Sequence, residues 1–132
     1  MIIKNAIITP DGTELVSEYR HDFKVHHDAL TGKEYGVDGG FDYQRLIGDC
    51  HECRVILICT ESSTFEVIRE AFKWGTYGKD GNGPNVKKSL RELTDDHIEA
   101  IIKTQTHLSV STIDLFKAEQ KYRSEHSIEI KD

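Results

Sequence analysis

The sequence has no run approaching the ~20 apolar residues of a membrane-spanning helix, and Met1-Ile2-Ile3-Lys4-Asn5 does not open a signal peptide. A cytoplasmic protein that does not engage a membrane is therefore expected. Cysteine is scarce: Cys50, Cys53 and Cys59 are the only three, an odd number that argues against a disulfide framework. A basic surplus is also missing, since 17 Lys and Arg stand against 23 Asp and Glu for a formal charge of −6. That balance disfavours non-specific binding of duplex DNA, which demands a basic surface. The motifs G-x-S-x-G and H-E-x-x-H do not occur, and Gly75-x-x-Gly78-Lys79-Asp80 misses a P-loop in both its interval and its last residue. Internal repeats and low-complexity linkers are absent as well.

What is present suits a globular protein. The 132 residues are 37% hydrophobic and 30% charged, within the range of one domain spanning 1–132. Residues 2–9 are rich in β-branched side chains, Pro10-Asp11-Gly12 supplies a turn, and residues 13–17 alternate, which together predict a hairpin. A second hairpin is expected between residues 21–28 and 34–37 across Leu30-Thr31-Gly32-Lys33. Asp38-Gly39-Gly40 then breaks the strand before an element of open type at 41–46. The continuously apolar stretch 54–60 reads as a buried central strand.

The period changes in the C-terminal half. Ser63-Thr64-Phe65-Glu66 matches a capping box, and Phe65, Ile68 and Phe72 recur at helical spacing, predicting a helix from Ser63 to about Phe72. A second helix is expected from Thr94, with Asp95 and Asp96 at its positive end and Ile98, Ile101 and Ile102 as its apolar face. A third is expected from Ser111-x-x-Asp114, ending before His126, with a short closing strand at 128–130. The fold class is α+β: an antiparallel sheet of N-terminal hairpins plus a central strand, with about three C-terminal helices.

The stretch 72–84 carries the most chemistry. Four glycines free its backbone to approach a ligand, and exposed amides in such loops can cradle phosphate oxygens. Phe72, Trp74 and Tyr77 offer rings for stacking on a base, Lys73 and Lys79 offer charge, and Asn82 can hydrogen-bond a base or ribose. Between Lys73 and Arg91 five basic residues face the single acid Asp80, so a local anion site stands beside the plainer reading of a solvated basic loop whose aromatics pack on the sheet. Cys50-His51-Glu52-Cys53 with His21, His26 or His27 could nominally hold zinc, but no second ligand pair at zinc spacing follows. His21-Asp22 and His26-His27-Asp28 hold acid–base groups, yet neighbours on a strand face opposite ways. No catalytic residue, metal or cofactor is expected.

Four blocks, His21-Asp22-Phe23, Val37-Asp38-Gly39-Gly40-x-Asp42-Tyr43-x-Arg45, Arg69-Glu70-Ala71-Phe72-x-Trp74-Gly75-Thr76-x-Gly78-Lys79-Asp80-Gly81 and Asp96-His97-Ile98-Glu99-Ala100-Ile101, resemble a family of small phage proteins that includes the Thoeris anti-defence sponges. The resemblance implies a bacteriophage countermeasure in the host cytoplasm. Such a protein binds the glycocyclic ADP-ribose signal of a bacterial Thoeris system and withholds it, uncleaved, from its effector. It also implies homo-oligomers, from dimer to hexamer, and a second capacity for cyclic di- or trinucleotides of CBASS systems. On that resemblance Phe72 and Asn82 correspond to the stacking aromatic and polar ligand contact, and Arg45 to the basic residue for cyclic oligonucleotides. Many members read D-Y-x-R-R where this chain has Arg45-Leu46, which puts the oligonucleotide capacity in doubt. Lys103 is the candidate for a helical phosphate-binding residue. The alternative expectation is a metal-dependent phosphodiesterase built on His21, Asp22, His26 and His27.

Overall fold

In a computed structural model, which describes residues 1–77 and 82–131, the chain is α+β and divides into two compact units, Met1–Ile68 and Arg69–Asp132. The first unit holds β1 (Ile2–Ile8), β2 (Glu14–Val16), β3 (Lys24–His27), β4 (Glu34–Asp38), β5 (Arg45–Ile47), a 3₁₀ turn at Cys50–Glu52 and β6 (Arg54–Cys59). Helix α1 (Phe65–Ala71) carries the boundary. The second unit holds β7 (Lys73–Thr76), β8 (Val86–Ser89), a 3₁₀ turn at Leu90–Glu92, α2 (Asp95–Thr104) and α3 (Val110–Glu125).

In the first unit β1 is the central strand, pairing antiparallel with β2 (Ala6↔Val16) on one side and with β6 (Ala6↔Ile56) on the other. A second antiparallel sheet runs β3-β4-β5. Both expected hairpins form. Gly12 closes the first at φ +90°, where a residue with a Cβ is strained. Ile7, Tyr35, Val37 and Cys50 make the core, with Leu15 and Cys53 packed against it. Buried Asn5 links the two sheets: its Nδ2 donates to the carbonyls of Asp38 (3.2 Å), Gly40 (3.0 Å) and Tyr43 (2.8 Å).

The second unit is built on Phe116, fully buried on α3. Phe72 and Trp74 meet it edge-on, at 5.8 and 5.2 Å between ring centroids. Beside it runs a buried ionic chain. Arg69 grips both oxygens of Glu119 (2.8 and 2.7 Å), and Arg123 donates to Glu119 (2.7 Å), to Asp95 (2.7 Å) and to the Leu90 carbonyl (3.1 Å). Arg69 also lies over the Tyr122 ring at 4.3 Å.

Four sequence expectations are corrected. The 54–60 strand forms at the edge of its sheet rather than its centre, with Val55 and Leu57 exposed, because β1 takes the central place. The helix expected to end at about Phe72 ends at Ala71, but the chain then enters β7 at Lys73 rather than a loop, so part of the supposed glycine-rich loop is a hairpin strand. Helix α3 is capped by Ser109, whose hydroxyl accepts the Thr112 N–H, two residues before the expected cap at Ser111. Residues 128–130 form no strand; Ile130 instead exchanges hydrogen bonds with Asp95, its carbonyl accepting at 2.9 Å.

Candidate functional site

The second unit carries an open pocket of about 600 Å³, within the size range of small-molecule sites. Its walls come from two elements. The β7–β8 hairpin contributes Thr76, Tyr77, Pro84, Val86 and Lys88, and the start of α2 contributes Thr94, Asp96, His97 and Ala100. On β7–β8, Trp74 stands opposite Lys88 and Thr76 opposite Val86. These four residues share one face of the ribbon. Thr94 starts α2 because its side chain accepts the His97 N–H (3.1 Å). Asp96 lies in that first turn, where the helix dipole favours a negative charge.

The pocket lining therefore brings together an exposed ring, Tyr77, a cation, Lys88, a carboxylate, Asp96, and an imidazole, His97, with apolar surface from buried Leu93 and exposed Val86. Chemically, a phenol ring can stack on a planar base, an ammonium can meet a phosphate, and a carboxylate can accept from ribose hydroxyls.

The residues singled out from the sequence fare differently. Tyr77 lines the pocket, and Asn82 is exposed immediately before Gly83, which also lines it. Trp74 is half-buried and Phe72 is buried, both against Phe116, so Phe72 takes the core position that its spacing from Ile68 offered beside the base-stacking reading. Lys103 lies one turn beyond Ala100 on α2 and pairs with Glu99 at 3.2 Å. Gln120, and after it Lys103, hold the Glu99 carboxyl below its ordinary range. Arg45 belongs to the first unit, where it bonds buried Asp38 (3.0 Å) and lies over the Phe23 ring at 5.8 Å. Lys79 lies outside the described residues. Lys88, Asp96, His97 and Ala100 were not expected as pocket residues. Lys88 was visible within the basic stretch, and Asp96 had been read as a helix-starting acid and as part of the fourth resemblance block.

One histidine of the first unit serves a turn. His26 bonds Asp11 (2.8 Å), and Asp11 also receives the Ala29 and Thr13 N–H groups and the Thr9 hydroxyl. The Ala29 N–H, followed by His26, Thr9 and Thr13, holds the Asp11 carboxyl far below its usual range. Burial pushes Asp28 upward, but bonds from Thr31 and the Asp11 N–H outweigh it and keep Asp28 low. Asp11, His26 and Asp28 are close enough to hold a cation, as are exposed Asp49, His51 and Glu52; among the described residues neither group includes Cys50 or Cys53. His21 is exposed, and Asp22 is a buried turn carboxylate accepting the Glu18 N–H (2.8 Å). No helix among the described residues is long and apolar enough to cross a membrane. No family model, curated protein or solved structure matches the chain.

Proposed function

We propose that the second unit binds an anionic, nucleotide-like small molecule and holds it without converting it, as a sponge for glycocyclic ADP-ribose signals of the Thoeris type. The observation that carries this reading is the meeting of Tyr77, Lys88 and Asp96 in one open pocket. That set offers a place for a base, a phosphate and a ribose diol. The sequence blocks that resemble the phage sponges support it independently, and two of the four blocks, 69–81 and 96–101, overlap the pocket. Sequestration rewards affinity rather than turnover. Stacking at about 1–3 kcal/mol per base, together with charge-assisted phosphate contacts, suits that demand. Capacity for cyclic di- or trinucleotides through Arg45, assembly as homo-oligomers and action in an infected bacterium's cytoplasm belong to the same proposal.

The test is titration calorimetry with the glycocyclic signal, followed by heat denaturation and mass analysis of what is released. Submicromolar binding with recovery of the intact signal is expected. A hydrolysed product would make the protein an enzyme, and no heat of binding would overturn the reading altogether. Lys88→Ala is expected to weaken binding about tenfold or more, the loss of one charge-assisted contact, and Ala100→Trp to block the pocket sterically. Wild-type affinity in both variants would move the site elsewhere.

A further inference from the structure

The pair Cys50 and Cys53, in the first unit, lies outside the proposed ligand site. The two residues open and close the 3₁₀ turn before β6, and the Cys53 N–H donates to the Cys50 carbonyl at 3.0 Å. A hydrogen-bonded turn of four residues keeps its first and last Cα atoms within about 7 Å. A disulfide spans about 4.4–6.8 Å between Cα atoms, so the backbone already stands near the geometry of a bridge. The side chains are also neighbours: Cys53 packs against the core cluster that contains Cys50. Cys50 is buried, with its thiol donating to the Ile47 carbonyl at 3.1 Å, whereas Cys53 is half-buried. One thiol is thus placed to meet a reagent and the other to resolve the product.

We propose that Cys50 and Cys53 are a redox-active dithiol that a small-molecule disulfide, such as oxidised glutathione, closes into an intramolecular disulfide. The Cys53 thiolate attacks one glutathione sulfur, forming a mixed disulfide and releasing one glutathione thiolate. The Cys50 thiolate then attacks Cys53 Sγ, forming the Cys50–Cys53 bond and expelling the second. The two protons given up by the cysteines end on the two glutathione thiols, so the protein is oxidised by two electrons and the oxidant reduced by two. The reaction is slow at neutral pH and accelerates in base. Burial, the neighbouring Cys50 thiol and the carboxylates of Asp28 and Glu52 push the Cys53 thiol up to about 11, with Lys33 engaged by Glu52 rather than by sulfur.

The experiment incubates the native full chain with oxidised glutathione at pH 7 and pH 9, then maps disulfides by mass spectrometry after alkylation. A loss of about 2 Da on a Cys50–Cys53 peptide is expected, forming about tenfold or more faster at pH 9, with Cys59→Ser reacting like wild type. Cys50→Ser is expected to stop at a glutathione adduct on Cys53. Should that variant not fold, the wild-type peptide map decides alone. Persistent glutathione adducts on the wild-type chain, a bridge to Cys59, or unmodified thiols at pH 9 would each overturn the proposal.

Discussion

Replacing Glu119 with glutamine tests the architecture of the second unit. The carboxylate is fully buried and accepts three charge-assisted bonds, two from Arg69 and one from Arg123, at 2.7–2.8 Å. A carboxamide of the same shape keeps one acceptor oxygen, turns an NH₂ toward a guanidinium, and leaves half-buried Arg69 and buried Arg123 with a neutral group in place of the carboxylate they share. Removing one partner of a buried ionic cluster costs about 3–5 kcal/mol, a large share of the ~5–15 kcal/mol that holds a domain together. At a urea slope of about 1.5–2 kcal/mol/M, the midpoint falls by about 2 M. The assay is intrinsic fluorescence, because Trp74 is the only tryptophan and packs on Phe116 inside the same unit. Buried charges are poorly screened, so the loss persists in 0.5 M salt. A cost below about 1 kcal/mol, or one that vanishes with salt, would show that the network is solvated and refute the reasoning.

The two linked turns at Asp11 and Asp28 make stability fall in acid. Both carboxyls are depressed in the folded state, so their contribution is complete above the unfolded carboxylate range and is lost as pH falls through the folded values. Urea midpoints between pH 7 and pH 2 are expected to fall less steeply in Asp11→Asn than in wild type. Gly39→Ala is expected to abolish soluble folding, because Gly39 sits at φ +108° and an added Cβ would stand 1.9 Å from the Tyr43 carbonyl oxygen. Gly12→Ala, equally left-handed but facing open space, is expected to fold with a lowered melting temperature.

Much of this architecture was legible from local pattern. The two N-terminal hairpins followed from turn residues, and α2 from Thr94 with its two acids, because these signals act within a few residues of the structure they make. The edge position of β6 was not legible. A continuous run such as Val55-Ile56-Leu57-Ile58 reads as buried on both sides, whereas the sheet order depends on which strand claims the centre. Phe72 illustrates a similar ambiguity: an aromatic beside a glycine-rich stretch suits a ligand and a core equally, and only Phe116, 44 positions on in the sequence, decides for the core. Lys88 and Asp96 come together by tertiary packing, so no spacing rule could have paired them.

Asn5 has a consequence for chemical ageing. Its single NH₂ group serves three carbonyls, while its oxygen accepts from the Gln44 side chain at 3.0 Å. Hydrolysis of that amide to a carboxylate would turn a shared donor into a negative charge facing three oxygens in the centre of the first unit, at about 1–3 kcal/mol for each group left unsatisfied. Deamidation needs the following backbone nitrogen to reach the side-chain carbonyl, and the extended backbone of β1 holds the two apart. The folded strand thereby protects the asparagine on which it depends. A molecule that lingers unfolded long enough to lose this amide would be unable to rebuild the junction between its two sheets, so time spent unfolded is converted into permanent damage.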